Sequence, residues 1–282
     1  MKITVIAKRF LPDFESRLFI RRVAYYPMDT FERLCRIRDP LIPPRGLWFV
    51  GGGQDYKAIN EEFLRYMTEL CGLSPHSQIL DVGCGIGVTA SRLASYLAPD
   101  GSYSGFDIVR RGITWCQKCI SARYPNFSFV HADIFSTHYN PKGLRASNAY
   151  RFPYLDEQFD FILSKSVFTH MMPSGIQNYL GEISRTLKRG GKCLATFFLL
   201  TDESNLLIRN GRSSLALRHD REDCRVLDPQ FPETAVGVPE SSVKTWCSAV
   251  NLQPIRPVLY GSWSGRPNYT SYQDIMILEK TA

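Results

Sequence analysis

The sequence Ile79-Leu80-Asp81-Val82-Gly83-Cys84-Gly85-Ile86-Gly87 joins an apolar run to three alternating glycines, with an acidic residue just before them. The apolar run is typical of a buried parallel strand, and residues 88–97 continue at helical spacing. The glycines therefore fall on a strand-to-helix turn, where the chain bends sharply and a ligand can lie against bare backbone. This pattern predicts a cofactor-binding loop; the alternative is a buried glycine turn without a ligand.

Two nucleotide-binding motifs are excluded by the residue after the glycines. G-x-G-x-x-G requires glycine, and the phosphate-binding P-loop requires lysine, where this chain has Val88. The sequence shows no cation near the loop to meet a phosphate, and Asp81 would repel a pyrophosphate. The remaining pattern, D-x-G-x-G-x-G, favours a ligand that carries a cationic group.

Residues 79–87 resemble motif I of the class I S-adenosylmethionine-dependent methyltransferases. The resemblance extends over residues 55–200 and, more loosely, over residues 239–282. S-adenosylmethionine carries cationic groups in its sulfonium and its amino-acid end. The resemblance implies that this cofactor is bound by Asp81, Gly83, Cys84, Gly85 and Gly87.

Acidic residues also end the next two strands. Asp107 follows the strand at residues 102–106, about 20 residues after Gly87, which is the spacing at which an acid accepts hydrogen bonds from ribose hydroxyls. The resemblance assigns the adenine amino group to Asp133, and it adds two neighbours to the cofactor site, Ile108 and Ile134. A single aspartate of this kind is often a helix cap. Acids at three successive strand ends favour a ligand site.

The downstream pattern predicts a doubly wound α/β fold. A fourth strand over residues 158–166 resembles motif IV and contributes Ser164 to the predicted cofactor site. An amphipathic helix follows over residues 176–187 and is expected to end at Lys188–Gly191, before a fifth strand at residues 192–200. The resemblance implies a Rossmann-like seven-stranded sheet, parallel except for its last strand.

Composition and pattern divide the 282 residues, of which 44% are hydrophobic, into four segments. Residues 1–54 are expected to form a helical extension and a lid segment, and residues 55–200 the cofactor-binding core. Residues 201–240 are expected to form an acceptor-side insertion. Residues 241–282 are expected to supply a helix and the last two strands, which we place at Val258–Tyr260 and Asp274–Leu278.

The N-terminal region is expected to be helical over residues 13–38, with a break at Pro27. Residues 43–53 resemble, more weakly, the lead-in of a subset of bacterial methyltransferases that act on small molecules or glycans. We expect Trp48–Tyr56 to fold over the ligand and Tyr56 to contact the substrate; the alternative is a flexible hinge.

The connector at residues 261–273 is rich in Trp, Tyr, Arg and Asn. Aromatic walls with hydrogen-bonding groups suit a sugar or a polyketide-like ring, and an arginine can hold an anionic group. We therefore expect Arg266 and Tyr269 to bind the acceptor. The alternative is a packing loop that covers the end of the sheet.

His170 follows the fourth strand, in a segment that faces the cofactor's methyl group in the resembling enzymes. Methyl transfer to a hydroxyl benefits from a base that removes the proton, and histidine is suited to that role. We therefore name His170 as the candidate catalytic residue. The alternative is a histidine that caps the next helix or hydrogen-bonds the backbone, and an amine acceptor would need no base.

Charge and cysteine usage bear on partners and location. The net charge of +7 is compatible with a nucleic-acid acceptor, but no RNA-binding module is recognisable, so we expect none. The basic and apolar N-terminal region leaves a homo-oligomer open. Residues 1–9 are interrupted too early by charge for a secretory signal, and no run of 18 apolar residues exists. A disulfide at Cys84 would obstruct the cofactor loop, which favours reduced thiols. We therefore expect a cytoplasmic protein. Cys116 and Cys119 form a lone C-x-x-C, which is too few ligands for zinc, so we expect no metal.

These observations predict a methyltransferase that uses S-adenosylmethionine to methylate oxygen on a small molecule or glycan. One alternative is an RNA or protein N-methyltransferase. Another is a protein that binds S-adenosylmethionine without turnover.

Overall fold

The centre of the fold is a parallel sheet covered by helices on both faces. The computed structural model describes residues 14–49 and 56–281, without the side chains of residues 15, 56 and 57. The described strands are β1 (Gln78–Val82), β2 (Ser102–Asp107), β3 (Phe127–His131), β4 (Phe159–Ser164), β5 (Leu187–Phe197), β6 (Leu199–Leu200), β7 (His219–Arg221), β8 (Cys224–Val226), β9 (Val236–Pro239), β10 (Leu252–Pro254) and β11 (Asp274–Lys280). The described α-helices are α1 (Phe14–Leu34), α2 (Tyr56–Arg65), α3 (Val88–Leu93), α4 (Arg110–Cys116), α5 (Pro173–Thr186), α6 (Asp202–Arg209) and α7 (Glu240–Ala249).

The main sheet has seven strands in the order β10-β11-β5-β4-β1-β2-β3. Only β11 runs against the others, because it pairs antiparallel with both β5 and β10. The predicted fold, a Rossmann-like sheet parallel except for its last strand, is confirmed. The strand order reverses between β1 and β4, and in such sheets the ligand crevice lies beyond the carboxyl ends of the strands at this point.

Strand β1 is buried on both faces, as its continuous apolar run predicts. Leu80 and Val82 pack into the larger core on one face, whereas Ile79 packs into a second core on the other face. Because both faces of β1 are packed, the position at which the glycine loop leaves the sheet is fixed.

Three boundaries differ from the sequence predictions. Helix α1 continues through Pro27 to Leu34, with the proline on its exposed side, where solvent can satisfy the carbonyl freed by the missing N–H. Helix α5 ends at Thr186, and the segment Lys188–Gly191 already belongs to β5. The next-to-last strand of the sheet is β10 rather than Val258–Tyr260, which contributes only one isolated bridge to β11.

The segment at residues 201–240 contains α6 and the strands β7, β8 and β9. Together with β6, these strands form a second sheet in the order β6-β9-β8-β7. Because β6 directly follows β5, this small sheet is attached to the end of the main one. Its core contains Phe198 and Trp263, and the Trp263 side chain is completely buried. No helix of the described residues is long and apolar enough to cross a membrane.

Candidate functional site

A cavity of about 740 Å³ lies at the carboxyl ends of β1, β2 and β4, where the strand order predicts a ligand. Its volume is typical of sites that hold a cofactor or small ligand. The walls come from the glycine loop, from the segments after β2, β3 and β4, from residues 48–49, and from the connector at residues 269–273. Segments far apart in sequence therefore enclose one space.

The glycine loop needs its glycines for backbone conformation and for space. Gly83, Gly85 and Gly87 have φ angles of 74°, 60° and 74°, in the left-handed region that other residues rarely adopt. A Cβ atom on Gly83 would overlap Cγ2 of Val167 from the segment after β4. A Cβ atom on Gly87 would lie 2.7 Å from Cδ1 of Ile120. The loop therefore packs so closely against its neighbours that side chains at Gly83 and Gly87 would not fit.

Three N–H groups of the loop already donate to protein acceptors. Gly83 and Cys84 both donate to the carbonyl oxygen of Phe106, at 2.9 and 3.0 Å. Gly85 donates to Oδ2 of Asp107 at 2.8 Å. A phosphate-binding loop would instead aim these groups at the anion. The geometry agrees with the exclusion of a P-loop drawn from Val88.

Cys84 lines the cavity, but its thiol packs inward over β2. A Cβ atom on Gly105 would lie 2.9 Å from the Cys84 Sγ atom, so the missing side chain at Gly105 makes room for the thiol. Burial raises the pKa of Cys84 well above its usual value, which keeps the thiol neutral.

Asp107 holds the loop and also faces the cavity. Its two oxygens accept hydrogen bonds from the N–H groups of Gly85 and Val109, at 2.8 and 2.7 Å. A carboxylate has about four acceptor positions, so acceptor capacity remains for a ligand. Burial raises the pKa of Asp107 to about 6, against the opposing effect of these backbone donors.

Asp81 lies deeper, at the end of β1. It accepts a hydrogen bond from the hydroxyl of Tyr103. Burial raises the pKa of Asp81 to about 7, and the Tyr103 hydroxyl and the Lys165 ammonium oppose this rise. Asp81 therefore changes its protonation state near neutral pH.

Lys165 corrects the prediction that no cation stands near the loop. It immediately follows β4 and lines the cavity, with Nζ 4.5 Å from the ring centre of Phe63 and 3.4 Å from Oγ1 of Thr89. Burial lowers the pKa of Lys165, while Asp81 and Glu62 act to raise it. Against this one ammonium, the described lining carries four carboxyl groups, on Glu62, Asp81, Asp107 and Glu233. The cavity keeps an acidic balance that suits a cationic ligand.

The structure brings most, but not all, of the predicted cofactor residues to the cavity. Asp81, Gly83, Cys84, Gly85, Asp107, Ile108 and Ile134 line it. Three others do not line it, namely Gly87, Asp133 and Ser164. Asp133 is half-buried, with Oδ1 3.4 Å from the Asn140 side-chain nitrogen. Ser164 is completely buried, and its hydroxyl has no hydrogen-bond partner among the described residues.

Arg266 is a structural residue rather than part of the acceptor pocket. Its side chain is 4% exposed, and it donates to Glu203 at 2.9 Å and to Thr201 at 2.8 Å. The guanidinium also stacks 3.8 Å from the ring centre of Tyr260. The connector is thus divided: Arg266 packs inside, whereas Tyr269 lines the cavity. The side chain of Tyr56 lies outside the described residues.

His170 lines the cavity with a defined proton position. Its Nδ1 lies 2.9 Å from the carbonyl oxygen of Glu233. Because a carbonyl only accepts, we assign the proton to Nδ1, which leaves Nε2 with a free lone pair. Burial lowers the pKa of His170 below 6.5, and the Glu233 and Thr234 carbonyls oppose the shift.

Glu233, which the sequence did not single out, fixes the wall beside His170. Its Oε2 accepts hydrogen bonds from the Ser136 and Thr137 side chains, at 2.6 and 3.0 Å, and from the Thr137 N–H at 2.8 Å. The insertion is thereby joined to the segment after β3. No sequence signal marks this glutamate, because its partners lie almost a hundred residues away.

S-adenosylmethionine, the cofactor that the resemblance implies, fits this donor set. The acidic lining suits its cationic groups, Asp107 retains acceptor capacity for hydroxyls, and Ile108 and Ile134 offer an apolar wall. The loop N–H groups that already donate to protein acceptors do not suit a phosphate. In the described part of the chain, no cluster of three or more His, Cys, Asp or Glu residues is arranged for a metal ion.

Known proteins share both the domain and the fold. Residues 79–191 match a family model described as a methyltransferase domain. The PH0226 protein from Pyrococcus horikoshii OT3 is 18% identical, with a TM-score of 0.57 over 82% of this chain and 93% of that one. The 1,6-didemethyltoxoflavin-N1-methyltransferase from Burkholderia thailandensis is 15% identical, with a TM-score of 0.52 over 81% of this chain and 80% of that one.

A putative sarcosine dimethylglycine methyltransferase from Galdieria sulphuraria is 13% identical, with a TM-score of 0.52 over 80% of this chain and 86% of that one. At these identities the solved structures establish the fold alone. The family match covers β1, the glycine loop and β4, which form part of the cavity wall, whereas residues 48–49 and 269–273 of that wall lie outside the match. This chain therefore contains a class I methyltransferase domain, an enzyme domain whose cofactor is S-adenosylmethionine.

Proposed function

We propose that the enzyme methylates a hydroxyl oxygen on a small molecule or glycan, with His170 as the general base. The observation that carries this proposal is the 2.9 Å contact between His170 Nδ1 and the Glu233 carbonyl oxygen, at a histidine that lines the cavity. With the proton assigned to Nδ1, the basic lone pair lies on Nε2. A base that takes the hydroxyl proton contributes roughly 10²- to 10⁴-fold in rate.

The environment of His170 keeps it unprotonated at neutral pH. Burial lowers the pKa of His170 from its usual value of 6.5. The neutral imidazole therefore predominates at neutral pH, and the cation forms only at acidic pH. The ring of Tyr139 packs edge-on at 5.7 Å and limits its rotation. A proton accepted at Nε2 would leave an imidazolium whose Nδ1–H already donates to a carbonyl, which stabilises the charged form.

We assign cofactor binding to the residues that line the cavity around the glycine loop. Asp107 is proposed to accept from ribose hydroxyls, Asp81 to face the cationic amino-acid end, and Ile108 with Ile134 to pack against the adenine. When bound, S-adenosylmethionine supplies an electrophilic methyl group on a sulfonium. Asp133 lies outside the lining, so its proposed contact with the adenine amino group would require a shift of the segment after β3.

The enclosure of the cavity supports a small acceptor. Aromatic side chains of Trp48, Phe49 and Tyr269 line it together with the polar groups of Gln273 and Ser271. Aromatic faces with hydrogen-bonding groups suit a ring that carries hydroxyls. The Burkholderia enzyme of the same fold holds the small heterocycle 1,6-didemethyltoxoflavin.

The test combines product identification with two variants. Enzyme, methyl-labelled cofactor and fractionated host extract should yield one labelled small molecule with an O-methyl group. His170→Ala should lower kcat by about 10²-fold or more, remove the acidic limb of the kcat profile, and leave the affinity for S-adenosylhomocysteine unchanged. His76→Ala, at an exposed histidine, is the control. Full activity of His170→Ala would eliminate the base, and an N-methyl product would eliminate the acceptor class.

The alternative acceptor is RNA, for which the net charge of +7 is the supporting observation. Phosphate contacts weaken steeply as salt rises, so RNA binding would show as a salt-dependent gel shift. Labelled RNA in the extract would replace the small-molecule proposal. Cofactor binding without any labelled product would favour a protein that binds S-adenosylmethionine without turnover.

A further inference from the structure

Helix α1 presents its apolar face to solvent. Seven large apolar side chains on this helix are between 41% and 73% exposed: Phe19, Ile20, Val23, Tyr26, Met28, Phe31 and Leu34. We call these seven residues the apolar face of α1. Most of them recur three or four residues apart, so they share one side of the helix. Scattered apolar residues are normal on a surface, but a continuous patch indicates a partner.

In its second half, α1 turns acidic side chains toward the protein, after Phe14 and Leu18 have packed inward at its start. Asp29 accepts from the N–H groups of Arg45 and Gly46, at 2.9 and 3.0 Å, and pairs with Arg38 at 2.9 Å. Glu32 pairs with Arg45 at 3.0 Å and with Arg38 at 3.2 Å. Both described acids of the helix are therefore neutralised inward, and the helix is held in this orientation.

Basic residues border the apolar face. Arg22 and Arg33 are exposed and lie about three helical turns apart, along one edge. Arg36, just beyond the helix, is exposed as well. An amphipathic helix with an apolar face and arginines at its edge is the pattern that lies flat in a membrane interface, where the arginine heads meet lipid headgroups.

We propose that the apolar face of α1 docks on an anionic lipid bilayer surface. Charge complementarity selects this occupant over a second copy of the chain. In a symmetric dimer the same basic edges would meet each other, with Asp29 and Glu32 already consumed inside. An anionic bilayer supplies both the apolar layer and the negative charge.

The docked helix would lie beside the cavity. Phe14, at the start of α1, contacts Phe49 and Tyr139 edge-on, with ring centres 5.7 and 5.4 Å apart. Both of these partners line the cavity. Docking therefore places the cavity close to the membrane surface.

Vesicle co-sedimentation of the full chain tests the proposal. Vesicles with about a third of anionic phosphatidylglycerol should bind the protein, whereas pure phosphatidylcholine vesicles should not. Phe19→Ser/Val23→Ser/Leu34→Ser should abolish binding. Arg22→Gln/Arg33→Gln should weaken it by about fivefold per arginine, about 25-fold in all. All variants should retain the wild-type far-ultraviolet spectrum, because the substituted side chains are exposed.

Two matched controls alter equally exposed residues elsewhere. Leu144→Ser/Leu155→Ser removes exposed apolar side chains, and Arg151→Gln/Arg256→Gln removes the same charge. Both should bind like the wild type. Three results would overturn the proposal: no binding to anionic vesicles, binding that the triple serine variant retains, or a dimer in sedimentation velocity that the triple variant dissociates. Binding that appears only after residues 1–13 are deleted would assign the face to that segment of the chain instead.

Discussion

The substitution Gly83→Ala tests the glycine loop, because two separate costs are readable at that position. Gly83 has a φ angle of 74°, and the left-handed conformation costs a residue with a Cβ atom about 1–2 kcal/mol. The new Cβ would also overlap Cγ2 of Val167, and overpacking of this kind costs about 1–3 kcal/mol. We therefore expect Gly83→Ala to lower the free energy of unfolding by about 2–5 kcal/mol.

A double-mutant cycle separates the two costs. Val167→Ala removes the overlapping methyl groups, so Gly83→Ala should cost about 1–3 kcal/mol less in that background, and only the conformational cost should remain. Urea unfolding of the cofactor-free proteins provides the four free energies. Gly181→Ala is the control, since this helical glycine has open space around it, and the change should stabilise by about 0.5–1 kcal/mol. A coupling energy near zero, or an unchanged midpoint for Gly83→Ala, would refute the reasoning.

Three further predictions concern buried charges. Burial raises the pKa of Asp81 to about 7, so the folded state holds this proton more tightly than the unfolded chain. The free energy of unfolding of the cofactor-free enzyme should fall between about pH 4 and pH 7, by at most about 4 kcal/mol, and Asp81→Asn should flatten this slope in urea titrations. Lys165→Met removes a charge that lowers the pKa of Asp81, so the same decline should extend to higher pH. If the free energy of unfolding of Lys165→Met fell over the same pH range as that of the wild type, the ammonium would not act on Asp81. Arg266→Ala should destabilise by about 3–5 kcal/mol, because it leaves Asp274 buried without its cation, while the affinity for S-adenosylhomocysteine stays unchanged. Lost affinity for S-adenosylhomocysteine in a folded Arg266→Ala protein would contradict the purely structural role assigned to this residue.

The fold was predictable because its signals are local. The apolar run at Ile79–Val82 and the glycines after it define β1 and the loop, and the strand-helix alternation predicts a doubly wound sheet. The number of strands and the antiparallel last strand came from the resemblance to class I methyltransferases. The predicted break at Pro27 was wrong because the proline lies on the exposed side of α1, where solvent satisfies the freed carbonyl. The end of α5 differs from the prediction by one residue, which is within the scatter of helix ends. Strand β5 begins at Leu187 rather than Lys192 because Leu187 already pairs with Phe159 of β4.

The site was predictable only where residues follow a strand. Asp81 and Asp107 end β1 and β2, and topology alone brings them together. Arg266 was misjudged because a connector rich in aromatic and charged residues has the same composition whether it packs or binds. Glu233 gave no signal, since its role beside His170 depends on the fold of the insertion.

Isothermal titration with S-adenosylhomocysteine tests the central claim most directly, namely that the cavity at the carboxyl ends of β1 and β4 binds the cofactor through Asp107. The wild-type protein should bind one equivalent. Asp107→Ala should lose at least about tenfold in affinity, since one hydrogen bond to a charged group is worth about 1.5–3 kcal/mol, and Asp100→Ala, at an exposed acid outside the cavity, should bind like the wild type. Absence of binding by the wild type, or equal affinity of the wild type and Asp107→Ala, would contradict the account.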